Sequence, residues 1–179
     1  SPGISTNIVV KYNDYNRKLV IDPKSFTAAG VNTTTNAITI SNHGYVTGDK
    51  VIHTSSIPCG GLIDNETYYI VVFDDNTFKL ANTYYDSTEG KPPIVGITST
   101  SIGTINPINP EIRLYKDCSA VFDVSDSSLS YVNQATTYSA FNLNFYKDEN
   151  FTKIWDTSTL TKDFNVVRNG APGITTDAN

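Results

Sequence analysis

The chain has 179 residues, 39% of them hydrophobic and 17% charged, so it can build a folded core and fits one domain or two small ones. Its net charge of −5 and its lack of clustered Lys and Arg argue against nucleic-acid binding, which needs basic residues along the phosphate backbone. No apolar run approaches the roughly 20 residues that cross a bilayer, so membrane insertion is not expected.

Strand-forming residues dominate the composition. The chain contains 23 Thr, 11 Tyr and 8 Phe, against 7 Leu and no Met. Because β-branched and aromatic residues favour strands, we expect an all-β fold with little helix. The absence of Met even at position 1, together with the opening Ser1-Pro2-Gly3, leads us to expect a piece of a longer or processed chain.

The first predicted element is an N-terminal β-hairpin or ribbon within residues 1–31. Residues 7–12 and 17–22 have strand composition, a polar turn at 13–16 separates them, and Pro23 follows. No other segment is an obvious partner for this ribbon. We therefore expect it to pair with a neighbouring chain.

A small antiparallel β-barrel-like module is predicted at residues 32–106. Alternating side chains at 37–40 and a run of aromatic and β-branched residues at 67–73 predict two strands. An acidic turn at 74–76 then leads into another strand at 77–81. These elements are close enough in sequence to pair as antiparallel neighbours.

Side-chain alternation also predicts which residues share a face. Val51 and His53 should lie on one side of their strand, and Phe78 and Leu80 on one side of theirs. Beyond these strands, residues 82–91 are expected to form a polar surface loop with exposed aromatic side chains.

The second half of the chain is predicted to form a separate β module. Residues 94–97 predict a strand that closes the first module. The two prolines within 106–110 then predict an extended linker, because proline cannot donate to a β ladder. A β-sandwich-like module, Ig-like or cupredoxin-like, is then predicted at residues 107–179, with strands at 111–115, 120–124, 141–146 and 163–167. A cupredoxin copper site is excluded because residues 108–179 contain neither His nor Met.

Two stretches resemble segments of known proteins. The first begins His43-Gly44-Tyr45-Val46-Thr47-Gly48-Asp49-Lys50-Val51 and continues through Gly60-Gly61-Leu62, Thr67-Tyr68-Tyr69-Ile70-Val71-Val72 and Asp74-Asp75-Asn76-Thr77-Phe78-Lys79-Leu80-Ala81. It resembles a small β module that recurs in tail and baseplate proteins of tailed bacteriophages, particularly large marine phages. The second, residues 114–129, ends in Ser125-Asp126-Ser127-Ser128-Leu129 and is similar to a segment of marine phage structural proteins, with Val121 where an aromatic residue is usual.

The resemblance implies a structural protein of the phage virion, in the tail or baseplate, that is synthesised in the host cytoplasm and makes non-catalytic subunit contacts. Its expected partners are other virion subunits, in a homo-oligomer or a hetero-assembly. The alternative is a carbohydrate- or receptor-binding module of a tail fibre or surface adhesin, which would contact a host surface glycan.

Aromatic residues in polar surroundings are the candidate contact residues for either function. They are Tyr84, Tyr85, Tyr131 and Tyr138, whose rings can stack on sugars or anchor a subunit contact. Trp155, next to Ile154, is expected to be buried in a core instead.

The sequence lacks the motifs of common catalytic sites. It has no Gly-x-Ser-x-Gly elbow, phosphate-binding loop or His-Glu-x-x-His motif, so neither an enzyme nor a cofactor is expected. A polysaccharide depolymerase with paired carboxylates is the enzymatic alternative, although no spacing singles out a pair. Cys59 and Cys118 are interpreted as ordinary small residues, with a bridge between them as the alternative.

Two sets of residues leave metal binding open. His43, His53 and Cys59 form one alternative set of ligands. Oxygen ligands gathered within residues 74–76 and 123–126 form an alternative calcium set, although acidic residues are also frequent in turns because their side chains accept backbone hydrogen bonds there. The favoured interpretation is that no metal is bound.

Overall fold

A computed structural model describes residues 5–88, 93–115, 117–154 and 171–174. The chain divides into two compact units. The barrel unit is Asn13–Pro110, and the second unit combines the described parts of Ser1–Tyr12 and Glu111–Asn179. Trp155 and the predicted strand at 163–167 lie outside the described residues.

Strands make up most of the regular structure, which confirms the predicted all-β fold class. Short 3-10 turns occur at Ala28–Gly30 and Ser127–Leu129. In chain order the other elements are β1 (Ser5–Asn13), β2 (Lys18–Ile21), β3 (Lys24–Phe26), β4 (Val31–Asn32), β5 (Ala37–Thr39), β6 (Lys50–Thr54), β7 (Glu66–Val72), β8 (Thr77–Ala81), α1 (Tyr84–Thr88), β9 (Gly103–Pro107), β10 (Ser119–Asp123), β11 (Ser130–Asn133) and β12 (Thr136–Ser139).

The barrel unit contains one seven-stranded antiparallel sheet in the order β3-β9-β6-β7-β8-β5-β4. Its edge strands β3 and β4 are consecutive in the chain, and the step from Phe26 to Val31 spans at most about 18 Å when fully extended. Seven strands in a flat sheet would separate those edges by about 29 Å. The sheet therefore has to curl towards closure, as the barrel-like prediction requires.

The interior of the curled sheet holds the apolar core. Val51 and His53 share one face of β6, and Phe78 and Leu80 share one face of β8, as predicted. The structure shows that both are inner faces, on which all four side chains are buried. Ile52, on the opposite face of β6, is also fully buried. The remaining core residues are Phe26, Val31, Ile38, Ile40, Tyr45, Cys59, Leu62, Tyr68, Ile70, Ile97 and Ile105.

The outer face of β6 is covered as well, which the sequence did not predict. Ile52 packs against Val20 and Ile108 in a smaller apolar cluster. Asn106 is buried beside it and its Nδ2 donates to the Ile52 carbonyl at 2.8 Å and to Thr54 Oγ1 at 3.0 Å. The prediction of an extended spacer at 106–110 is therefore wrong for residues 106–108. These residues belong to the barrel unit and pack against β6.

Two further predictions in the barrel unit need correction. The expected loop at 82–91 contains the one-turn helix α1, because Thr83 accepts hydrogen bonds from Asp86 N at 3.0 Å through its hydroxyl and from Ser87 N at 3.1 Å through its carbonyl. Residues 94–97 follow β8 without forming a strand. Val95 N donates to the Leu80 carbonyl, but Ile97 N donates to the Asn36 side chain, so no ladder develops.

In the second unit, β1 and β10 form a parallel pair that runs from Ser5 opposite Ser119 to Val9 opposite Asp123. The expectation that the N-terminal ribbon lacks a partner within its own chain is therefore wrong for β1. A sequence separation of more than a hundred residues hid this pairing from sequence patterns, which are local.

The rest of the second unit is a β-hairpin and irregular segments. Strands β11 and β12 pair only with each other among the described residues. The strands expected at 111–115 and 141–146 are not formed there, apart from a single bridge between Tyr146 and Ile154. Alternation indicates which side chains prefer a buried face, but a strand also needs a neighbouring ladder to bond with.

Candidate functional site

The turn at His43 joins two loops at one end of the barrel. His43 Nε2 donates to the Asp74 carbonyl at 2.7 Å, and Nδ1 accepts from Tyr45 N at 2.9 Å. Both ring nitrogens are thus used in holding the backbone. The flanking residues Asn42 and Gly44 have φ values of 51° and 69°, a region that suits glycine and asparagine.

The next residues of the same turn also hold backbone atoms. Thr47 Oγ1 accepts from Val72 N at 2.9 Å, and Asp49 Oδ2 accepts from Val46 N at 2.9 Å. Gly48 has a φ of 98°, and a Cβ there would lie 2.9 Å from the Tyr84 ring. Thr47, Gly48 and Asp49 therefore shape the turn that leads into β6, which is a structural role.

The Gly60-Gly61 pair lets two loops touch at the other end of the barrel. Gly60 donates to Ser99 Oγ at 2.8 Å and accepts from Thr98 N at 2.9 Å. A Cβ on Gly61 would collide with the Gly96 carbonyl oxygen, and its φ of 93° disfavours other residues.

The structure does not assemble His43, His53 and Cys59 into a metal site. Within the described residues no group of three or more His, Cys, Asp or Glu side chains could hold a metal ion. His53 Nδ1 donates to the Ile63 carbonyl at 3.0 Å, whereas its Nε2 is buried without a partner. Cys59 is buried and its Sγ donates to the Ser101 carbonyl, and burial raises the pKa of this thiol.

No disulfide joins Cys59 to Cys118, although both residues are described. This excludes the alternative bridge. Cys59 instead serves as a small apolar residue of the barrel core.

The acidic segments form turns. Asp74 Oδ1 accepts from Asn76 N and Thr77 N, both at 2.8 Å, and these bonds lower the pKa of Asp74. Asp123 Oδ1 accepts from the hydroxyl and amide of Ser125, with the same effect on its pKa. Both carboxylates therefore accept hydrogen bonds within turns. This is the role that the sequence offered as the alternative to calcium binding.

A groove of about 600 Å³ lies where β3, β9 and the end of β6 meet. Hydroxyl groups line it, including Ser25 and Thr104, whose oxygens are 2.9 Å apart. Among the described residues of the lining, Asp64 is the one that is ionisable, and its Oδ1 accepts from Ser55 N at 2.9 Å. The groove can therefore offer hydrogen bonds, but the described lining contains no pair of converging carboxylates.

The four predicted contact tyrosines fall into two separate pairs. Tyr84 and Tyr85 lie on α1 of the barrel unit, and the Tyr84 ring meets the Tyr69 ring edge-on at 6.3 Å. Tyr131 and Tyr138 lie directly opposite each other in the β11–β12 hairpin of the second unit. Their ring centroids are 5.4 Å apart and their planes differ by 23°.

A third set of exposed apolar residues was not predicted. Tyr146, Phe151 and Ile154, which we call the loop patch, sit together on the loop that the Tyr146–Ile154 bridge closes. The Tyr146 and Phe151 rings are 5.5 Å apart and nearly perpendicular.

Asp148 organises the backbone of this loop. Its carboxylate accepts from Thr152 N at 3.0 Å, from the Thr152 hydroxyl at 2.6 Å and from Lys153 N at 2.8 Å. These hydrogen bonds lower the pKa of Asp148. They also hold Phe151 at a φ of 55°, a region that a bulky side chain rarely adopts, with its ring half exposed.

No α-helix in the described part of the chain is both long and apolar enough to cross a membrane. The chain matches no protein-family model, no curated protein and no solved structure.

Proposed function

We propose that this chain is a non-catalytic structural component of a phage virion, in the tail or baseplate, and that its second unit binds neighbouring subunits. The proposal rests on the two phage-like segments of the sequence and on one structural observation. That observation is the apolar surface that the described residues of the second unit expose.

The described residues of the second unit bury only three apolar side chains, Ile8, Val10 and Leu129. They expose nine large ones, namely Leu114, Tyr115, Val121, Tyr131, Val132, Tyr138, Tyr146, Phe151 and Ile154. Single exposed apolar residues are ordinary, but contiguous groups of them mark interaction sites.

The loop patch is the best candidate for the subunit contact. Aromatic anchors on a rigid backbone lose little conformational entropy when they bind. Asp148 supplies that rigidity, and the left-handed backbone of Phe151 is the kind of local strain that functional sites retain. The partner is another virion subunit, either a second copy or a different chain.

The association is tested by sedimentation of the purified chain over a range of concentrations. We expect wild type to self-associate or to bind its neighbouring tail subunit, and Phe151→Ser to weaken that association. The matched control is Phe73→Ser, which removes a more exposed phenylalanine, 74% against 51%, from the β7–β8 turn of the barrel unit. A monomeric chain that binds no tail subunit, or equal loss in both variants, would contradict the subunit contact.

The virion location is tested separately. Antibodies raised against the chain should label the tail or baseplate of the phage that encodes it, as seen by negative-stain electron microscopy. Labelling of infected-cell lysate without labelling of purified particles would refute a virion protein.

A further inference from the structure

One face of the β11–β12 hairpin combines aromatic and hydrogen-bonding side chains. Tyr131 pairs with Tyr138, and two positions along each strand Asn133 pairs with Thr136. Residues two apart on a strand point to the same side, so all four side chains share a face, which we call the tyrosine face.

The tyrosine face is open to solvent. Tyr131 and Tyr138 are 52% and 43% exposed, and Asn133 and Thr136 are exposed beside them. The rings are stacked on each other, with centroids 5.4 Å apart and planes that differ by 23°, so their exposed parts form a narrow aromatic strip. An amide and a hydroxyl at one end of that strip can donate and accept hydrogen bonds.

The hairpin and its neighbours in the sequence carry no charged side chain. Residues 127–146 contain no Asp, Glu, Lys or Arg. A carboxylated, sulfated or phosphorylated ligand would be expected to meet a cationic partner in such a site, and a cationic ligand an acidic one. Charge complementarity therefore favours a neutral ligand.

We propose that the tyrosine face binds a neutral saccharide. Tyr131 and Tyr138 would pack against the apolar C–H surface of a sugar ring, while Asn133 and Thr136 would bond to its hydroxyls. This combination matches the amphipathic character of a neutral sugar, which has apolar ring faces and hydroxyls at its rim. The proposal does not depend on the virion location or on the loop patch.

The simplest competing explanation is that the tyrosines only stabilise the hairpin as a cross-strand aromatic pair. Both explanations predict damage from Tyr→Ala changes. They differ for Asn133 and Thr136, whose removal leaves the ring pair intact but takes away the proposed sugar contacts.

The experiment is binding of the full chain to a glycan array with neutral gluco-, manno-, galacto- and N-acetylglucosamine oligosaccharides and matched uronic-acid oligosaccharides. We expect binding to neutral members and none to the acidic ones. Tyr131→Ala and Tyr138→Ala should each weaken binding about tenfold or more, the scale expected when one stacking ring is lost.

Three further variants separate binding from folding. The double variant Asn133→Ala/Thr136→Ala should lose affinity while the hairpin keeps its amide exchange protection. Tyr131→Phe, which keeps the aromatic ring, should retain most of the binding. Tyr15→Ala, at a tyrosine of the barrel unit that is 77% exposed, should bind like wild type.

Several outcomes would overturn the proposal. These are no binding to any neutral oligosaccharide on the array, binding to acidic members alone, unchanged binding after Tyr138→Ala or after Asn133→Ala/Thr136→Ala, and equal loss after Tyr15→Ala. In the last two cases the tyrosine face would be a structural feature of the hairpin.

Discussion

At the scale of residues, the two histidines show how position decides chemistry. His43 uses both ring nitrogens to tie one turn to another, whereas His53 lies in the barrel core with one nitrogen bonded to Ile63 and the other without a partner. Gly103 leaves room for this ring, since a Cβ there would lie 2.9 Å from His53 Nε2 and 2.5 Å from Phe26 Cζ. A buried unpaired nitrogen is tolerated only while it stays unprotonated.

Burial lowers the pKa of His53 from its ordinary value of 6.5, although the Ile63 carbonyl and Asp64 act in the opposite direction. Below about pH 6.5, His53 of the unfolded chain binds a proton that His53 of the folded barrel does not bind. The free energy of unfolding should therefore fall as the pH drops below about 6.5. Urea unfolding of wild type and His53→Phe at pH 7.5 and pH 5 checks this. An equally steep loss of stability in the variant would show that other groups cause it.

Gly61 and Gly44 give a matched pair of glycines with positive φ. Gly61→Ala should cost about 3 kcal/mol, because it adds a collision with the Gly96 carbonyl to the backbone strain. Gly44→Ala meets nothing within 4 Å and should cost only the strain, about 1 kcal/mol. Denaturant midpoints measure both. Equal destabilisation would mean that the close approach of the two loops is not a constraint.

At the scale of elements, the β11–β12 hairpin is held by an unusual turn. Gln134 and Ala135 have φ values of 49° and 66°, the conformation of a two-residue hairpin turn that normally selects Asn-Gly. Neither Gln134 nor Ala135 is a residue type that suits positive φ, so the turn is strained. Two-stranded hairpins are also only marginally stable by themselves. The stacked tyrosines offset part of this cost.

Replacing Gln134-Ala135 by Asn-Gly should stabilise the hairpin by about 1 kcal/mol, since both new residues suit positive φ. Slower amide hydrogen exchange along β11 and β12 is the expected observation. Ala135→Val is the opposing control, because a β-branched side chain fits this region poorly, and exchange should become faster. If the two changes act in the same direction, the turn does not limit hairpin stability.

At the scale of the whole molecule, the barrel unit and the second unit differ in how they use apolar residues. Inside its seven-stranded sheet the barrel unit buries more large apolar side chains than it exposes, whereas the described second unit exposes more than it buries. Each chain carries a net charge of −5 at pH 7, so identical copies repel each other when they approach. Apolar contacts have to exceed that repulsion for self-association to occur.

Added salt should therefore strengthen self-association, or leave it unchanged, at pH 7. Salt screens the repulsion between like-charged copies and does not weaken apolar contacts. Sedimentation at low and high ionic strength measures the effect. Dissociation at high salt would indicate that charge pairs, and not the loop patch, hold the copies together.

Features of the fold could be predicted from the sequence where they depend on residues that are close together in the chain. The two-residue period correctly placed Val51 with His53, and Phe78 with Leu80, on shared faces of their strands, and composition predicted the all-β fold class. The same period predicted strands at 111–115 and 141–146 that do not form, because it carries no information about a ladder partner. Tyr131 and Tyr138 were singled out individually, but nothing local placed them opposite each other.

The sequence by itself determined the secondary-structure type, the turns and the faces of the barrel strands, since each depends on residues within a few positions of one another. Tertiary structure alone decided that β1 pairs with β10, that Ile52 is covered from outside, and that Asp148 presents Phe151 over Tyr146. These features join distant segments or need an exact loop geometry. Their free energy comes from packing and hydrogen bonds that exist only after the chain has folded.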